Sequence, residues 1–149
     1  MSSDQHGVNQ QSAAIWQAIE AEHMRGRHAD ADVDDIAAEI TTLICKAVDT
    51  GYFPQLKCDV ETHPIDGGGA IEVAIVECST PPTSPRSHLA MREIQRLLDK
   101  LQRDSASQHC DVFEVSFYNG LCWHVGNQIY HVDTMPIEGS ATRPQRAGA

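Results

Sequence analysis

Residues 56–76 read LKCDVETHPIDGGGAIEVAIV. Leu56, Cys58 and Val60 alternate with Lys57, Asp59 and Glu61; further on, Ile71, Val73 and Ile75 alternate with Glu72, Ala74 and Val76. A period of two marks a sheet with one buried face and one wetter face. The stretch is read as two strands joined by a glycine-rich loop from His63 to Gly69. Three successive glycines, Gly67, Gly68 and Gly69, permit backbone shapes that other residues resist.

A helix is predicted on either side of this hairpin. Upstream, Ile36, Ile40, Leu43, Ile44, Ala47 and Val48 recur at helical spacing. Asp32, Asp34 and Asp35 at its start suit the positive end of the helix dipole. Gly51 follows where a left-handed residue is wanted, and Tyr52-Phe53-Pro54 turns the chain into the first strand. Downstream, Pro81, Pro82 and Pro85 interrupt regular structure. Ser84 or Ser87 then caps a helix to about Arg103, whose buried side is Met91, Ile94, Leu97, Leu98 and Leu101. Neither helix can bury its apolar stripe alone, so both are placed on one face of the sheet.

The last hairpin is read from its register. A two-residue turn at Asn119-Gly120 would put Phe113, Val115 and Phe117 on the face opposite Leu121, Trp123 and Val125. Splitting apolar residues between faces is costly, because each buried one contributes roughly 1.5–3 kcal/mol. A three-residue loop, Tyr118-Asn119-Gly120, removes the conflict, with Gly120 as a left-handed bulge. Gln128 to Val132 adds a short edge strand after Gly126-Asn127.

These readings predict a single small α+β domain. Its four- to five-stranded sheet is mainly antiparallel, in the order α-β-β-α-β-β, with an additional helix from Ser12 to Met24 carrying Ile15, Trp16 and Ile19. Residues 1–31 are expected to form a mobile segment with that short helix, 32–132 the α+β domain, and 133–149 a disordered tail. Whether the first helix docks is left open.

Composition narrows the class. The 149 residues are 41% hydrophobic and 21% charged, enough for one core. No apolar run approaches the roughly 18 residues needed to span a bilayer. The polar start, Met1 to Gln11, lacks the pattern of a secretory signal. The five cysteines, Cys45, Cys58, Cys78, Cys110 and Cys122, form no C-x-x-C pair. A cytoplasmic location with free thiols is therefore expected. A net charge of −10 disfavours a general nucleic-acid coat.

The stretch from Ile36 to Val76 resembles a small accessory domain of large polyvalent proteins from phages and conjugative elements. The residues that carry the resemblance are Ile36-Ala37-Ala38-Glu39-Ile40, Phe53-Pro54, Lys57 with Val60, and Gly67-Gly68-Gly69-Ala70-Ile71-Glu72-Val73. It covers about a third of the chain and includes no catalytic signature. The family's aromatic residue after the second strand is replaced here by Ile75-Val76-Glu77. The resemblance implies a mobile-element setting and a role in interaction or counter-defence, and it carries over no site.

Several side-chain groups are candidates for chemistry. The last hairpin's register sets Glu114 beside His124 and Ser116 beside Cys122, and a Glu–His pair suits acid–base work. An ordinary polar cross-strand pair accounts for the same residues. His109, Cys110, Cys122, His124 and His131 are metal-ligand types without a recognised spacing, so neither a metal nor a cofactor is expected. The loop Gly67–Gly69 lacks the Gly-Lys-Ser/Thr and helix of a phosphate loop and is read as a contact loop. Arg92, Arg96, Lys100 and Arg103 form a basic stripe on the second main helix, partly offset by Asp99 pairing with Arg103. Five of the eleven basic residues lie between Arg86 and Arg103. Glu20, Glu22, Asp30, Asp32, Asp34, Asp35 and Glu39 crowd the N-terminal third, as helix-start acids or as a mimic of a phosphate backbone.

The expected function is a non-enzymatic interaction module with a protein partner, encoded by a phage or mobile element and acting on a host protein. Nucleic-acid binding through the basic stripe is the alternative, and a small enzyme with a Glu/His pair is the second alternative. No membrane association is expected. An exposed edge or sheet face leaves a homodimer open.

Overall fold

The alternation of residues 56–76 becomes two long antiparallel strands, β1 (Leu56–Ile65) and β2 (Gly68–Cys78). A computed structural model of the chain describes residues 10–26, 32–65, 68–106 and 118–137. The remaining elements are α1 (Gln10–Gly26), α2 (Val33–Asp49), α3 (Pro85–Ala106), β3 (Tyr118–Val125), β4 (Gln128–Tyr130) and a 3-10 turn (Val132–Thr134). The architecture is α+β, and the sheet runs β1-β2-β3-β4.

The sheet is mixed, which corrects the mainly antiparallel expectation. β1 pairs antiparallel with β2, and β3 with β4, but β2 and β3 are parallel. The 22-residue α3 lies between β2 and β3 in the chain. A helix of that length returns the chain to the starting end of the sheet, as a parallel pair requires.

The loop of the first hairpin is shorter than expected. His63 lies in β1 opposite Ala70, and Gly68 and Gly69 lie in β2 opposite Ile65 and Pro64. Gly67 lies outside the described residues. Gly69 answers to close packing, since a Cβ there would meet Val33 Cγ2 at 3.0 Å and the His63 carbonyl oxygen at 3.2 Å.

The Tyr118-Asn119-Gly120 loop is also corrected. These residues open β3 and pair in parallel with Ala70, Ile71 and Glu72. The Asn119 side chain turns inward to α3. Its Nδ2 donates to Gln102 Oε1 at 2.5 Å, and its Oδ1 accepts from Gln95 Nε2 at 2.9 Å. The left-handed glycine of this region is Gly126, φ 61°, in the tight β3–β4 turn. Phe113, Val115 and Phe117 lie outside the described residues.

Both main helices cover one sheet face. α2 packs on β1 and β2, and α3 on β3. Asp32 caps α2 by accepting from the Asp35 amide at 2.8 Å, and Gly51, φ 87°, follows its end. Ser84 precedes α3 and accepts from the Arg86 amide at 3.1 Å, with Pro85 opening the helix. Ser87 is fully buried and donates to the Pro81 carbonyl at 2.7 Å, which ties down the proline-rich connection. The core joins Ile36, Ile40 and Leu43 to Ile71, Val73 and Ile75, and Met91, Ile94 and Leu98 to Leu121 and Trp123.

Both ends of the described chain are anchored. Trp16 of α1 is fully buried and stacks on Tyr52 at 6.0 Å, beside Phe53. Ile15 faces outward, and the buried residues of α1 are Trp16 and Glu20. At the other end Met135 is buried, and the Pro136 carbonyl lies 2.7 Å from His88 Nε2. The tail expected from Asp133 therefore packs onto the domain as far as these residues.

Candidate functional site

With the apolar side of each strand under the helices, the alternate residues face away from them. On β1 these are Asp59, Glu61 and His63, on β2 Glu72, Ala74 and Val76, and on β3 Gly120, Cys122 and His124. The registers align them in rows across the sheet. Glu61 stands opposite Glu72, which lies beside Gly120; Asp59 stands opposite Ala74, which lies beside Cys122.

Small residues in the middle strands and longer ones at the sides hollow this face. A groove of about 360 Å³ is lined by Asp59, Glu61, Glu72, Ala74, Cys122 and His124, with His131 closing one side. His131 Nδ1 lies 3.4 Å from the Leu121 carbonyl oxygen. Next to the groove His63 Nε2 sits 3.2 Å from Glu72 Oε1 and 3.7 Å from Glu61 Oε1. Among the described residues, the groove's side chains include Asp59, Glu61 and Glu72 and no lysine or arginine.

Cys122 is not primed for nucleophilic work. Burial first, and the charge of Glu72 second, push its thiol pKa above the usual value. The thiolate is the reactive species, so this environment suppresses it. His124 stands opposite Ile129 on β4. The residues proposed to face His124 and Cys122, Glu114 and Ser116, lie outside the described residues, as do His109 and Cys110. Cys122, His124 and His131 do share the groove wall.

Two of the four residues of the basic stripe on α3, Arg96 and Lys100, are engaged by acids. Arg96 Nη2 donates to Glu20 Oε1 at 2.7 Å, Arg96 Nε donates to Glu93 Oε2 at 3.1 Å, and Lys100 Nζ lies 3.9 Å from Glu20 Oε2. The hydrogen bonds that Arg96 donates, first to Glu93 and then to Glu20, raise its pKa and hold its charge firmly. Arg92 and Arg103 remain exposed. Asp99, able by its spacing to pair with Arg103, accepts from Gln95 at 3.0 Å and from Asn119 at 3.3 Å.

The N-terminal acids likewise have structural partners. Glu39 Oε1 lies 2.9 Å from His23 Nε2, joining α1 to α2. Asp34 accepts from the Thr62 hydroxyl at 3.0 Å, and Glu22 pairs with Arg25 at 2.5 Å. Asp30 lies outside the described residues.

The grouping of Glu61, His63 and Glu72 was missed in the sequence. The signal was available: extending the β1 alternation two residues past Glu61 puts His63 on the wet face. Assigning His63 to a loop removed it from that row.

No known family, curated protein or solved structure matches the chain. Among the described residues no helix is long and apolar enough to cross a membrane.

Proposed function

We propose that the chain is a non-enzymatic protein-interaction module of a phage or other mobile element. It acts in the cytoplasm on a host protein and presents the outer face of its sheet as the contact surface. The observation that carries this reading is the groove itself, a hollow rimmed by Asp59, Glu61 and Glu72 on the face turned away from α2 and α3. Its acidic rim and the chain's net charge of −10 favour a basic segment of the partner. The resemblance of residues 36–76 to an accessory domain of polyvalent proteins supports the mobile-element setting. The upward shift of the Cys122 thiol and the acids paired with Arg96 and Lys100 weigh against the enzyme and nucleic-acid alternatives.

The test is affinity capture from bacterial lysate, with and without nuclease, comparing the wild type with Asp59→Lys and Gly120→Val. One stoichiometric protein, retained after nuclease and lost with either variant, is the expected result. Capture that depends on nucleic acid, or that survives both substitutions, overturns the reading.

A further inference from the structure

Glu61, His63 and Glu72 bring three metal-ligand atoms together from two adjacent strands. One oxygen from each carboxylate and one imidazole nitrogen all lie within 4.8 Å of one another. Ligand atoms bound to one zinc-like ion at about 2.0–2.2 Å lie roughly 3–3.5 Å apart. The His63–Glu72 distance of 3.2 Å already meets that spacing, and the His63–Glu61 distance of 3.7 Å needs only a small side-chain rotation.

The backbone beneath these groups is continuous hydrogen-bonded sheet. Glu61 is directly opposite Glu72, and His63 follows two residues along on the same face. Like charges at directly opposed positions are unfavourable. Asp59, on the same strand and face, adds further negative charge. A cation placed between the carboxylates removes that repulsion.

From this geometry we infer that Glu61, His63 and Glu72 form an open binding site for a first-row divalent transition metal of the zinc, cobalt or nickel type. The imidazole selects against calcium and magnesium, which take oxygen ligands. The side chains are 67%, 45% and 64% exposed, in that order, so outward coordination positions are left for water or for a ligand from another molecule. The site borders the groove, but the inference does not depend on the partner reading. His63 is not among the groove's lining residues, and neither Asp59 nor Gly120 is a ligand.

The test is two-dimensional amide NMR of the untagged, reduced full chain titrated with cobalt(II). Saturable broadening centred on residues 61–63 and 70–72 is expected, with apparent affinity falling at least tenfold in His63→Ala and in Glu72→Gln. Both variants should keep the dispersed spectrum of the folded chain, since the replaced side chains lie outside the core, 45% and 64% exposed. Broadening that is not saturable, that centres on Cys45 or Cys122, or that is unchanged in either variant overturns the site. Loss of metal binding with retained partner capture in His63→Ala separates this inference from the interaction reading.

Discussion

The indole of Trp16 in α1 stacks on the ring of Tyr52, with centroids 6.0 Å apart and planes inclined by 17°. Its Nε1 donates to Glu93 Oε2 at 3.3 Å, so one side chain joins α1, the α2–β1 junction and α3. Removing a fully buried tryptophan costs about 3–5 kcal/mol. Trp16→Ala should lower the urea midpoint of the whole domain by a corresponding amount. A loosely attached helix would leave that midpoint unchanged.

Arg96 bridges Glu20 and Glu93, whose side chains are only 10% and 14% exposed. Arg96→Met would leave the two carboxylates without that cation and should cost about 1.5–3 kcal/mol, the range for hydrogen bonds to charged groups. Adding Glu20→Gln should recover part of the loss, because the orphaned charge is then removed. A double-mutant cycle on chemical denaturation reads the coupling, and strictly additive effects would show that the pair contributes nothing.

Cys58 lies between β1 and the helices, where burial first, then the neighbouring Cys45 and Cys78, push its thiol from 9.0 up to about 12. The unfolded chain loses this proton near pH 9 while the folded chain keeps it. Above pH 9 the folded state therefore binds more protons, and stability falls with rising pH until about pH 12. Tyr52, also raised chiefly by burial, adds to the same trend above pH 10. Cys58→Ala should flatten the alkaline side of a stability profile measured by denaturant unfolding. In the folded chain at pH 8, exposed Cys45 should be alkylated well before Cys58, as mass mapping would show.

Two glycines of neighbouring strands should respond oppositely to alanine. At Gly69 the new methyl meets Val33 and the His63 carbonyl oxygen, and overpacking of this kind costs about 1–3 kcal/mol. Val33→Ala should recover only part of that cost, because the carbonyl belongs to the backbone. At Gly120 the nearest atom is Glu72 Cγ at 3.8 Å, and φ lies outside the left-handed region. Gly120→Ala should therefore leave thermal stability unchanged or slightly raised while making the groove shallower.

Much of the fold was legible because periodicity reports burial locally. The alternation of Ile71, Val73 and Ile75, and the helical spacing of Ile36, Ile40 and Leu43 and of Ile94, Leu98 and Leu101, mark the buried positions found in the structure. The helix ends were equally local: the acids Asp32, Asp34 and Asp35 start α2, and Gly51, φ 87°, follows its end in a backbone conformation that suits a residue without a side chain. Asn119-Gly120 misled because the dipeptide carries a turn propensity that depends on its neighbours. Here the return of α3 supplies β2 as a parallel partner, and the Asn119 amide finds acceptors on that helix.

The amino-acid sequence by itself determined the main helices, the first hairpin and the buried faces of β1, β2 and β3. Those depend on contacts between residues close in the chain. Tertiary structure alone decided that β2 and β3 run parallel, that Trp16 completes the core, and that Glu20 occupies the arginine stripe. It also hollowed the outer face at Ala74 and Gly120. The parallel pairing, the docking of Trp16 and the reach of Glu20 to Arg96 depend on distant segments meeting, which no local period encodes; the Glu93–Arg96 pair and the Glu61–His63–Glu72 group are local, and needed only the exact helix face and hairpin register.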